Sequence, residues 1–120
     1  MVKRGTENRS LRELIVFLEK SERKNKAPIW GAVAEKLAKP RRRRVEMNLG
    51  KLAKITKAKD VVIIPGKVLG AGDLTHAVSI ASWSAAKGVE EKVAKSGGKL
   101  MTIKELVGSN PNGKGVMILQ

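Results

Sequence analysis

A mixed α/β fold, with helices leading and strands following, is predicted by three features of the chain. Ser10-Leu11-Arg12-Glu13 and Thr102-Ile103-Lys104-Glu105 each set a hydroxyl residue three positions before a glutamate, the pattern of a capping box at a helix N-terminus. Val61-Val62-Ile63-Ile64 is an unbroken β-branched run and Ala77 to Trp83 alternates in character, both marks of strands. Proline and glycine punctuate the chain at Pro28, Pro40, Pro65-Gly66, Gly97-Gly98 and Asn110-Pro111-Asn112-Gly113.

The elements follow in order. Residues 1–9 are polar and basic and read as an arm that orders on a partner, with Lys3 and Arg4 as its cations. The first capping box starts a helix at Ser10, and Leu11, Leu14, Ile15 and Leu18 give it one apolar stripe. Pro28 suits the first turn of a second helix, where its missing N–H costs nothing. Trp30, Val33, Ala34 and Leu37 form the buried face of that helix and Pro40 stops it. Trp30 reads as a core anchor because its helical neighbours are apolar. A short helix through Leu49, Leu52, Ala53 and Ile55 takes Asn48 as its N-cap. The Val61–Ile64 strand is expected to end at Pro65-Gly66, and residues 66–72 to form a glycine-rich loop carrying Lys67 close to a phosphate. After the strand from Ala77 to Trp83, Ser84 is expected to cap a helix that Gly97-Gly98 ends. A short strand at Lys99-Leu100-Met101, a helix from Thr102 to Gly108, an Asn-Pro turn and a strand at Val116–Leu119 complete the chain.

The 120 residues are one domain's length and 42% of them are apolar, too many for a disordered tail. Phe17, Trp30 and Trp83 are the only aromatics, so the core is predicted to be aliphatic, and any binding of single strands is expected to rest on charge, shape and backbone amides instead of stacked rings. The absence of cysteine excludes disulfides and thiolate metal sites. The longest apolar run, Leu14 to Leu18, is far short of the roughly 20 residues that cross a bilayer, so a soluble, cytoplasmic protein with no membrane partner is expected.

Charge points to the partner. The formal net charge is +14, and between Lys36 and Lys59 ten Lys and Arg residues face a single carboxylate, Glu46. Arg41-Arg42-Arg43-Arg44 cannot be core, and guanidinium forks match phosphate oxygens two at a time. An extended run laid along a nucleic-acid backbone is the reading these residues favour. The candidate RNA-binding residues are Lys3, Arg4, Lys39, Arg41, Arg42, Arg43, Arg44, Asn48, Lys51, Lys54, Lys57 and Lys67.

Chemistry-bearing constellations are missing. Gly66-Lys67 is not followed by Ser or Thr, so it is no Walker A loop, and Gly70-Ala71-Gly72 lacks the third glycine of a dinucleotide fingerprint. His76 stands alone, Glu90 and Glu91 point in different directions on a helix, and no G-x-S-x-G elbow occurs. No enzyme, cofactor, metal or small-molecule substrate is therefore expected. A sequence-neutral DNA-compacting protein is the alternative that charge alone allows equally.

Three stretches carry a family resemblance. Ile29-Trp30-Gly31-Ala32-Val33-Ala34-Glu35-Lys36-Leu37 with Lys39-Pro40-Arg41-Arg42, then Val45-Glu46-Met47-Asn48-Leu49-Gly50-Lys51, then Val61-Val62-Ile63-Ile64-Pro65-Gly66-Lys67-Val68-Leu69-Gly70 resemble, in order and spacing, the archaeal large ribosomal subunit protein eighteen-e family. The likeness continues through Ala77–Ala81 and the Asn110 turn, so it spans essentially the whole chain. It implies a ribosome-bound protein whose partners are large-subunit ribosomal RNA and neighbouring ribosomal proteins. It also implies the fold of bacterial large-subunit protein fifteen: N-terminal helices, then an irregular β-β-α superhelical domain.

Overall fold

In the computed structural model, which describes residues 2–39 and 44–119 and the side chains from Arg9 onward, five helices surround a five-stranded sheet. The order is α1 (Val2–Asn25), α2 (Pro28–Leu37), β1 (Val45–Asn48), α3 (Leu49–Ile55), β2 (Asp60–Leu69), β3 (Val78–Ala85), α4 (Val89–Lys95), β4 (Lys99–Thr102), α5 (Ile103–Ser109) and β5 (Val116–Ile118). Every strand pair is parallel. A strand of a parallel sheet with helices over both faces is buried on both, which is why β2 reads as a continuous apolar run.

Alternation along β2 divides the core in two. Ile63 joins Ala81 and the apolar residues of α1, α2 and α5. Val62 and Ile64 turn the other way, to Leu49 and Leu52 of α3 and Val89 and Val93 of α4. Trp30 is fully buried, and its Nε1–H donates to the Pro111 carbonyl at 2.7 Å, which ties α2 to the Asn-Pro turn. The largest fully buried side chains are otherwise Leu, Ile, Val and Met, the aliphatic core expected from the composition.

β2 is long enough to serve two partners on one edge. Its first half, Val61–Ile63, pairs with β5, and its second half, Gly66–Leu69, pairs with β1. β3 covers the opposite edge, with an irregularity between Ile64 and Lys67. This corrects the expected strand end at Pro65-Gly66. Pairing steps from Ile64–Ser82 to Lys67–Ser84, so the proline falls in a bulge and the strand runs on to Leu69. Gly66 is required there, because a Cβ would collide with the Val45 carbonyl of β1.

Two further expectations are corrected, and a third holds in position only. Helix α1 begins at Val2, so Ser10 lies inside it and caps nothing; no residue between Val2 and Arg9 breaks a helix strongly enough to delay it. Ser84 belongs to β3, and α4 starts after Gly88, whose φ of 89° puts the turn in the left-handed region. Asn48 occupies the residue before α3 but its side chain makes no capping bond. Thr102, by contrast, accepts from the Glu105 amide at 3.1 Å while Glu105 accepts from the Thr102 amide at 3.0 Å, the complete capping box. Strand β1 was not foreseen as a strand.

The β2–β3 connection contains no helix, and its segment from Gly70 to Gly72 is pinned from two sides. The Gly50 amide of α3 donates to the Ala71 carbonyl at 2.9 Å. Lys92 of α4 donates to the Gly70 and Gly72 carbonyls at 2.7 and 3.1 Å and lies 3.7 Å from the Asp73 carboxylate. The glycine-rich stretch is thus packed against α3 and α4, and Lys67 stands on β2, outside any loop.

Candidate nucleic-acid interface

Burial of Leu49 and Leu52 turns the opposite side of α3 outward, where Lys51 and Lys54, three residues apart, stand one above the other. The end of this helix is held by Thr56, whose hydroxyl donates to the Leu52 carbonyl at 2.6 Å and lies 2.9 Å from His76 Nε2. His76 is 3.2 Å from the Thr75 hydroxyl through Nδ1, so its ring links the helix end to the β2–β3 connection, a structural part. Lys57 follows, exposed, its backbone N–H donating to Asp60 at 2.8 Å.

The second group forms where β1 meets β2. Register sets Glu46 beside Lys67, and Lys67 beside Ser84 of β3. Arg44, Glu46, Lys67, Trp83 and Ser84 line one cleft of about 130 Å³. Arg44 Nε donates to the Lys39 carbonyl at 3.1 Å, which holds the two described ends of the arginine run together. Asn48, exposed at the end of β1, sits between this cleft and α3.

The fold therefore brings Lys39, Arg44, Asn48, Lys51, Lys54, Lys57 and Lys67 onto one continuous stretch of chain and its paired strand. Arg41, Arg42 and Arg43 lie outside the described residues. Lys3 and Arg4 lie in the helical backbone of α1, with their side chains outside the described part. Lys51, Lys54 and Lys67 are exposed, and among the described residues their ammonium groups make no hydrogen bond or ion pair. Glu46 stands next to Lys67 without forming an ion pair with it. Cations that the fold leaves unpaired in this way keep their full charge for an external anion. Trp83 and Ser84 were not anticipated at the basic surface; they arrive through the non-local β2–β3 register, for which no local sequence signal exists.

Among the described residues, no group of three or more His, Cys, Asp and Glu side chains could hold a metal ion, and no helix is long and apolar enough to cross a membrane.

Comparison with known proteins decides the family. Residues 3–120 match the family described as ribosomal protein 60S L18 and 50S L18e. The chain belongs to the L18/L18e family. This L18e-family chain is 46% identical over 107 residues to the large ribosomal subunit protein eL18 of Methanococcus maripaludis, covering 89% of each chain. It is 43% identical over 112 residues to that of Archaeoglobus fulgidus, covering 93% of this chain and 96% of the relative. It is 44% identical over 115 residues to that of Pyrobaculum aerophilum, covering 96% and 94%. Membership in the L18/L18e family makes the chain a ribosomal protein, a structural component and not an enzyme.

Proposed function

We propose that the chain is a structural constituent of the large ribosomal subunit, bound to the ribosome in the cytoplasm, and that it holds large-subunit ribosomal RNA through the surface from Lys39 to Lys57 together with Lys67. The observation that carries this reading is the set of exposed ammonium groups on α3 and β2 that are unpaired among the described residues, in and beside a stretch, Lys36 to Lys59, with one carboxylate, Glu46. Phosphate oxygens neutralise such a surface and release condensed counterions as they do so. Arg41, Arg42 and Arg43 extend it, and Lys3 and Arg4 in the first turns of α1 add a second foothold. The whole of residues 1–120 acts as one RNA-binding domain, and neighbouring ribosomal proteins adjoin the faces turned from RNA.

Sedimentation of a cell extract through a sucrose gradient at moderately high salt tests the assignment. Recovery of the chain in near one-to-one ratio with the large-subunit peak is expected. Its presence at the top of the gradient, or displacement from ribosomal RNA by an equal weight of duplex DNA, would overturn it.

A further inference from the structure

The two tryptophans live in different surroundings. Trp30 is fully buried and its N–H is used by Pro111. Trp83, near the C-terminal end of β3, is only partly buried against the α1/α2/α5 side of the core, and its indole N–H makes no hydrogen bond among the described residues. It walls the cleft that Arg44 and Lys67 share, and it also borders the two neighbouring hollows along β3 and β4. A large ring with an unused donor, lining one cleft together with two cations, is more than packing requires.

From this arrangement we infer that the cleft holds one unpaired nucleotide of the RNA. This rests on the RNA-binding reading and gives it a specific pocket. The base lies against the Trp83 indole, since every base offers a π-face and stacking needs no base-specific partner. The phosphate lies toward Arg44 and Lys67. Glu46, in register with Lys67, repels a phosphate on its own side and accepts N–H groups from the base edge, which fixes which end of the nucleotide enters first. Ser84, next to Lys67 on the other side, offers a hydroxyl to the sugar or phosphate.

Titration of the intact chain with a full-length large-subunit ribosomal RNA transcript tests this. Trp30 is shielded in the free protein, so the emission that acrylamide quenches belongs to Trp83. Saturating RNA is expected to quench that emission directly and to remove its acrylamide accessibility. Trp83→Leu is expected to weaken binding by about 5- to 150-fold, the range of one lost base stack, with the helical circular dichroism retained. Binding with a normal salt slope but unchanged Trp83 emission would overturn the nucleotide cleft alone. Failure of the wild-type chain to bind the transcript would overturn the RNA reading beneath it. If Trp83→Leu does not fold, the emission of the unmodified chain decides.

Discussion

Replacing Lys51, Lys54 and Lys67 together by Gln removes three charges that the fold does not use. All three are exposed and none is paired among the described residues, so stability should move by no more than about 0.5 kcal/mol for each substitution. The effect on RNA is far larger. Each phosphate contact contributes roughly 0.7 to 0.9 to the slope of log affinity against log salt. Loss of three contacts therefore flattens the slope by about 2 to 3, and at 0.1 M salt it lowers affinity by on the order of 100- to 500-fold. Filter binding of the large-subunit transcript across 50 to roughly 300 mM salt reads both quantities from one data set. A variant that loses affinity uniformly at every salt concentration, with the slope unchanged, would show that these lysines are not phosphate contacts and would refute the electrostatic argument.

Two other outcomes follow from particular contacts. Gly66→Ala places a Cβ into the Val45 carbonyl, so β1 must shift, and a destabilisation of about 1 to 3 kcal/mol is expected in urea unfolding; an unchanged midpoint would mean that β1 is not seated on β2. The Glu105 carboxyl is held below its ordinary value by hydrogen bonds from the Thr102 backbone and then its hydroxyl, with Lys99 adding to the effect. A depressed carboxylate stabilises the fold above its unfolded pKa, and that contribution is lost as pH falls through the folded value. The gap in Tm between the wild-type chain and Glu105→Ala should thus be widest near neutrality and narrow below about pH 4; a gap independent of pH would separate the charge from the cap.

What the sequence made legible depended on whether the deciding contact was local. The Thr102–Glu105 box closes within four residues, and it is present as read. The identical pattern at Ser10 failed because the chain upstream of it is itself helical, so its amides already have partners. The aliphatic stripes of α1 and α2, the buried Trp30 and the glycine stop after α4 were all readable, since helical periodicity and left-handed backbone are properties of short segments. Strand β2 outran its predicted end because a bulge absorbs Pro65, and β1 was missed because four residues acquire strand character only when Gly66–Leu69 lies beside them. The basic surface was visible as composition. The meeting of Arg44 and Lys67 was not, because register between strands some twenty residues apart sets it.

The sharing of one β2 edge by β5 and β1 also governs how the molecule behaves in solution. Both long strands, β2 and β3, are interior, and the sheet's outer borders fall to β4, β1 and β5, of four, four and three residues. Borders so brief give another chain little backbone to add onto. Mutual repulsion at a net charge of +14 works in the same direction. Free molecules are therefore kept apart twice over, once by charge that salt screens and once by a border geometry that salt does not affect. Aggregation should accordingly stay low in high salt, where the first protection is gone and the second remains.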